Sequence, residues 1–188
     1  MRVIAGQKKG RLLQAVPGKR TRPTTDRVKE MIFNLFPQPF FAGGMGLDLY
    51  AGTGSLGIEA LSRGLERMIF VDHHPRAVHV IKQNLKTLDL LAQSEVYRND
   101  AMRALKVLVK REIKLNLVFM DPPYAHQKIA EQLSMLAEAK LMDPYGYVVV
   151  ETEKETSLTG HAGRIELLKE QTYGQTKIWL YQQKGEDR

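Results

Sequence analysis

Residues 45–57 read MGLDLYAGTGSLG. A short apolar run with strand character meets Asp48, then Gly52, Gly54 and Gly57 in the pattern G-x-G-x-x-G. The next residues, SLGIEALSR, carry helical apolar spacing and close at Gly64. A glycine loop between a strand and a helix lets the backbone turn tightly and approach a ligand closely. Asp72 ends the following strand, MIFVD, twenty residues after Gly52. An acid at that spacing can accept hydrogen bonds from both hydroxyls of a ribose. Together these features predict a nucleoside-containing ligand.

Outward from this stretch the chain alternates. Pro75 suits the first position of a helix whose apolar face is Ala77, Val78, Ile81, Leu85 and Leu88. Strands are predicted at 94–98, 115–120 and 147–151, with helices over about 101–110 and 127–139 between them. Near-continuous apolar strands separated by amphipathic helices imply a parallel sheet covered on both faces. The last run, RIELLKEQTYGQTKIWLYQQ, instead predicts an antiparallel hairpin turning at a glycine. At the other end, RVIAG and RLLQAV read as a small hairpin broken by PGKR. A helix follows RPTT, with Thr24 or Thr25 as its N-cap and Val28, Met31, Ile32, Leu35 and Phe36 as its stripe. The expected fold is therefore α/β: a doubly wound, mostly parallel sheet with a C-terminal antiparallel hairpin and a small N-terminal β-hairpin extension.

Two features narrow the ligand. Asp48 precedes the glycines, where its carboxylate would repel a pyrophosphate and favour a cationic group such as an α-amine. The second is Asp121-Pro122-Pro123-Tyr124, which ends the apolar strand LNLVFM. Two prolines fix the backbone, so the Asp121 carboxylate and the Pro122 carbonyl become preset acceptors. In a doubly wound sheet this strand lies beside the first, which predicts that Asp121 faces the crevice of Gly52 and Gly54. Adjacent acceptors suit the exocyclic NH₂ of a nucleobase. Holding both N–H groups turns the nitrogen lone pair out of conjugation, and the carboxylate stabilises the charge that develops on nitrogen. Tyr124 would stack on an extruded base, worth about 1–3 kcal/mol. Asp100 and Ala101, after the third strand, are placed to hold an adenine edge.

Charge points to the partner. The chain has 188 residues and a formal net charge of +7. Residues 1–30 hold nine Lys and Arg against Asp26 and Glu30, and the other 158 residues carry nineteen of each sign. A basic segment on a neutral body suits a polyanion. Hydrophobic residues make up 43% and charged residues 26%, ordinary for a globular domain. No apolar run approaches the roughly 20 residues that span a bilayer, and MRVIAGQKKG lacks a signal-peptide core. There is no cysteine, so thiolate chemistry is excluded; a cytoplasmic location is expected. His79, His126 and His161 form no ligand spacing, and no metal is expected. His73 and His74 read as polar residues opening a helix, and Trp179 as hairpin core.

In order along the chain, DLYAGTGSLGIEAL, VDHHPRAV, NDA and DPPY resemble the class I S-adenosylmethionine-dependent methyltransferases. The N-terminal VIAGQKKGRLL and RPTTDRVKEMIFN are similar to the bacterial 16S ribosomal RNA guanine-N2 methyltransferase family. The resemblance covers nearly the whole chain. It implies a methyl transfer from S-adenosylmethionine to a guanine N2 amine in small-subunit RNA, with Asp121, Pro122 and Tyr124 in catalysis. Cofactor binding would fall to Asp48, Tyr50, Gly52, Gly54, Ser55, Asp72, Asp100, Ala101 and Asp121. Arg2, Lys8, Lys9, Arg11, Arg20, Arg22, Thr24 and Arg27 would meet RNA. The family often has Glu where Asp72 stands, and the HHPR that follows departs from its pattern. The expected organisation is a basic extension over 1–22, a catalytic domain over 23–184 and a tail over 185–188, acting as a monomer on RNA or an assembling 30S particle. The alternatives are a DNA adenine or cytosine amino-methyltransferase, against which 188 residues leave little room for a target-recognition domain, and a non-catalytic RNA-binding module.

Overall fold

The structure, a computed structural model, describes residues 1–17, 25–37, 43–122 and 126–185. Its helices are α1 (Asp26–Asn34), α2 (Ser55–Ser62), α3 (Pro75–Thr87), α4 (Ala101–Lys110) and α5 (His126–Glu138). Its strands are β1 (Met45–Asp48), β2 (Arg67–Asp72), β3 (Ser94–Arg98), β4 (Leu115–Met120), β5 (Met142–Glu153), β6 (His161–Ala162), β7 (Ile165–Tyr173) and β8 (Thr176–Gln183). The strands form one eight-stranded sheet in the order β3-β2-β1-β4-β5-β8-β7-β6. Pairing is parallel for β1 with β2, β2 with β3 and β4 with β5, and antiparallel among β5, β8, β7 and β6. That is the mixed α/β sheet expected from the alternation. No described helix is long and apolar enough to cross a membrane. The chain divides into two compact units, residues 1–101 and 102–188.

In the first unit β2 is buried from Met68 to Asp72, and Leu47 of β1 is fully buried. Each such Leu, Ile or Phe contributes about 1.5–3 kcal/mol on leaving water. Pro75 stands at the start of α3, where its missing N–H costs nothing, and His74 caps the helix by accepting the Arg76 N–H at 3.2 Å. The face α3 buries is Ala77, Val80, Ile81, Asn84 and Leu85, so Val80 replaces the expected Val78. Thr25 is the N-cap of α1, its hydroxyl accepting from the Val28 N–H at 3.3 Å. The buried stripe of α1 is Val28, Lys29, Ile32 and Phe33; Met31, expected there, is only half-buried. Leu35 and Phe36, just past the helix, are buried as expected, and Lys29 is buried beside the stripe because it finds polar partners inside.

That arm, residues 1–17, is the expected small hairpin in its shortest form. Arg2 and Leu12 make one antiparallel bridge, supported by Val3 N–H to the Arg11 carbonyl, Gly10 N–H to the Val3 carbonyl and Leu13 N–H to the Met1 carbonyl. The ladder stops because its other groups turn to α2. Ile4 and Ala5 donate their N–H groups to the Glu59 carboxylate at 2.8 and 2.9 Å. Lys8 N–H donates to the Ser62 hydroxyl at 2.9 Å, which itself donates to the Ala5 carbonyl at 2.6 Å.

In the second unit β4 is apolar and buried as read, apart from half-buried Asn116. Strand β5 begins at Met142, five residues before the expected Tyr147. Pro144 has no N–H to give and Tyr145 sits at φ 65°, so the register slips between Leu115 and Leu117 and the early part does not read as a strand. Strand β6, two residues long, was not expected. Strands β7 and β8 make the predicted hairpin, turning at Gly174 and Gln175. Trp179 is buried in it, its indole N–H donating to the Thr152 hydroxyl at 2.9 Å.

Candidate functional site

The loop from Tyr50 to Gly54 joins the end of β1 to the first turn of α2. Gly52 and Gly54 have φ of 56° and 79°, left-handed values that L side chains resist, and Gly54 is the N-cap of α2. Gly57 is required for a different reason. A Cβ there would meet the Phe70 ring at 2.3 Å, so its hydrogen is what lets α2 pack down on β2.

Asp48 and Asp72 bracket this loop. Asp72 is buried, and its two carboxylate oxygens accept from the Gly52 N–H at 2.9 Å and the His74 N–H at 2.8 Å. Asp48 is buried beneath the first turn of α2 and accepts the Gly57 N–H at 3.2 Å. The Ala51 N–H donates to the Val71 carbonyl at 2.9 Å, and the Asn99 N–H to the Asp72 carbonyl at 3.1 Å. Asp100, exposed, follows Asn99 and donates its N–H to the Asn99 side chain at 2.9 Å. Ala101 opens α4 and is buried. The carboxyl ends of β1, β2 and β3 thus converge on Asp48, Gly52, Gly54, Asp72 and Asp100. Ser55, buried at the start of α2, and half-buried Tyr50 complete the loop.

Three carboxylates around a tight glycine loop favour amines and hydroxyls and disfavour phosphates. That donor preference fits a ligand with a cationic amino acid end and a ribose. Asp72 has one contact per oxygen to the backbone here, so it sets the loop's shape as well as offering acceptor capacity.

In the second unit Asp121 follows the last residue of β4; it is exposed, and Pro122 is half-buried. Pro123 and Tyr124 lie outside the described residues. So do Arg20, Arg22 and Thr24. Arg2 and Arg11 are exposed but spend donors on the protein: Arg2 Nε on Asp26 at 3.1 Å, and the Arg11 guanidinium on the Thr87 carbonyl at 3.1 Å. Lys9 and Arg27 are exposed and Lys8 half-buried.

The family described as conserved hypothetical protein 95 matches residues 1–182 of this chain. The chain belongs to that family. The Bacillus subtilis protein YlbH is 49% identical over 185 residues, covering 98% of this chain and all of the relative. The ribosomal RNA small subunit methyltransferase D of Haemophilus influenzae is 38% identical over 184 residues, covering 97% and 93% of the two chains. The solved structure of the Escherichia coli protein yhhF superposes with a TM-score of 0.85 at 31% identity, covering 98% of each chain. The sheet described above is the Rossmann-like methyltransferase fold.

Sequence reasoning overlooked a buried polar cluster behind this loop. Lys29 and Glu59 have no exposed side-chain surface, and Lys29 Nζ stands 3.4 Å from the Glu59 carboxylate. Burial holds the Lys29 ammonium below its ordinary range, with Glu59 pulling the other way. Asn84, also buried, accepts the Gln14 N–H at 2.8 Å and donates to the Thr53 carbonyl, inside the glycine loop, at 3.0 Å. The signal was present: an acid in the otherwise apolar helix SLGIEALS, and a lysine next to the stripe of α1.

Proposed function

We propose that this protein transfers a methyl group from S-adenosylmethionine to the exocyclic N2 amine of a guanine in small-subunit ribosomal RNA. The observation that carries the reading is the acid-lined glycine loop, in which Asp72 holds the Gly52 N–H and Asp48 lies under α2. Support for the substrate comes from relatives named ribosomal RNA small subunit methyltransferases and from the basic residues 1–30. Asp48 suits the amino group of the amino acid end, Asp72 the ribose hydroxyls, and Asp100 with Ala101 the adenine edge. Bound there, S-adenosylmethionine supplies a methyl group made electrophilic by its sulfonium.

The chain's own contribution is to present the amine. The Asp121 carboxylate and Pro122 carbonyl accept from the two N–H groups of the guanine N2, which aims the nitrogen lone pair outward. Nitrogen gains a bond to carbon as the carbon–sulfur bond breaks, and the extra proton on nitrogen passes to water. Asp121 stabilises the positive charge meanwhile and need not be a strong base. Tyr124 stacks on the base. Residues 1–22 form the RNA-binding extension, with Arg2, Lys8, Lys9, Arg11, Arg20 and Arg22 meeting RNA, and residues 23–184 the catalytic domain, which adds Thr24 and Arg27 to that surface. The enzyme acts as a monomer in the cytoplasm, on RNA within an assembling small subunit.

Asp121→Ala tests the chemistry. With labelled cofactor and unmodified small subunits, the variant should transfer methyl about 100-fold more slowly or worse, as when a transition-state-stabilising group is removed. Full transfer by Asp121→Ala would contradict the role given to this motif.

A further inference from the structure

The first unit contains a polar chain that the methyl-transfer reading leaves unused. Lys29 Nζ on α1 donates to the Arg2 carbonyl of the arm at 2.5 Å and to the Ser55 hydroxyl of α2 at 3.1 Å. Ser55 immediately follows Gly54. Glu59, one turn further along α2, takes the Ile4 and Ala5 N–H groups of the arm and the Arg63 Nε at 2.9 Å. Arg63 also lies over the Phe33 ring of α1, 4.5 Å from its centre. Lys29 therefore joins its own helix α1 to two other elements, the arm and the residue that opens α2.

A buried ion pair is a poor way to gain stability, since desolvating both charges offsets their attraction. An apolar pair of the same volume would serve a purely structural joint at least as well. What an apolar pair cannot do is hold a hydroxyl and two backbone N–H groups in fixed directions. The second link repeats the logic, because Asn84 ties Gln14 of the arm to the Thr53 carbonyl within the glycine loop. Both polar links run from the arm to the same few residues, Thr53 to Ser55. Close packing adds to them: a Cβ on Gly6 would lie 1.8 Å from the Ser62 carbonyl oxygen, so the arm sits directly against α2.

We propose that Lys29 and Glu59 are positioning residues for cofactor binding, setting the Gly54–Ser55 turn through a buried network that fixes the basic arm to the same turn. The arm is thus part of the cofactor site's support. RNA held on the arm and cofactor held at the loop would lean on one shared hydrogen-bonded network. The inference rests on reading the glycine loop as the cofactor site.

Calorimetric titration with S-adenosylhomocysteine, on the full chain and well below the melting temperature, tests it. Lys29→Met keeps the volume and removes the link to Ser55 and Arg2; its Kd should rise about tenfold, the loss of one hydrogen bond's worth of preorganisation. Lys29→Met with Glu59→Gln removes both charges. Without Lys29 the buried Glu59 carboxylate keeps Arg63 as its counter-charge, and removing its charge should restore part of the melting temperature, while the Kd stays weak because Ser55 is still unsupported. If Lys29→Met does not fold, the double variant carries the same readout. In turnover assays KM for the cofactor should rise more than kcat falls. A Kd within twofold of the wild type in either variant would overturn the proposal and leave the cofactor site standing. No binding by the wild type would overturn the cofactor reading, and this inference with it.

Discussion

The N-terminal arm and the β7–β8 hairpin carry similar sequence signals, two strand-like runs joined by a glycine-containing turn, and are built in different ways. The hairpin is a backbone structure. Its pairing runs from Ile165 with Gln183 to Tyr173 with Thr176, and side chains such as Trp179 and Tyr181 pack beneath it. The arm has one bridge and is held by side chains of other elements: Glu59, Ser62 and Asn84 take its peptide groups. A ladder is tolerant, because each pair supports its neighbours. An arm hung on a few buried polar groups depends on each of them, and those groups stand beside the glycine loop.

The contrast can be broken at its strongest point first. Glu59→Ala would leave the Lys29 ammonium buried with no carboxylate and two arm N–H groups unmatched. It should cost about 3–5 kcal/mol, read from urea unfolding. A loss below about 1 kcal/mol, typical of an exposed pair, would mean that the arm is held otherwise.

Alkaline pH separates the regions by sign. Tyr181 is pushed up to about 12, mainly by burial and also by Glu170. Its contribution is complete below the ordinary tyrosine pKa of 10.0 and is lost as pH climbs from there through about 12. Lys29 runs the other way: its pKa is lowered from 10.5. Its contribution is present above 10.5 and is lost as pH falls through the lowered value, so neutral solution is where its burial costs most. Unfolding free energies measured from pH 9 upward should therefore decline less steeply between about 10 and 12 in Tyr181→Phe, with the remainder carried by Tyr147, which burial also raises. An unchanged decline in that variant would remove Tyr181 from the explanation.

The smallest effect belongs to the hairpin's surface. Lys177 pairs with the half-exposed Glu170 at 3.1 Å and also lies 3.9 Å from the centre of the Trp179 ring. Glu170→Ala should cost about 0.2–1 kcal/mol, since the ladder and the ring contact persist. A cost approaching that of Glu59→Ala would erase the distinction between the two constructions.

The order of strands and helices was legible because burial periodicity and punctuation are local. The glycine loop, Pro75 at the head of α3, the Thr25 cap and the β7–β8 turn could each be read from a few neighbouring residues. Errors arose where distant parts of the chain decide the outcome. The arm's peptide groups could form a ladder or reach side chains, and only the position of α2 selects between them. In the sequence Lys29 is one of the nine cations of residues 1–30, and its burial is hidden because its partners, Arg2 on the arm and Ser55 and Glu59 on α2, lie more than twenty residues away. The early part of β5 was hidden by Pro144 and the left-handed Tyr145, whose chemistry reads as a turn. At the candidate site, Asp48, Gly52 and Asp72 were visible as residues with a spacing. That Asp72 would hold the Gly52 N–H was not visible, since spacing says where an acid lies and not which donor reaches it first.

The most direct measurement of the functional claim is the identity of the methylated nucleoside. Small subunits lacking the modification would be incubated with the protein and labelled S-adenosylmethionine, and the RNA digested to nucleosides for mass spectrometry. Label is expected in N2-methylguanosine at one position of the small-subunit RNA. Label in N6-methyladenosine or N4-methylcytidine, or no label in RNA at all, would contradict it.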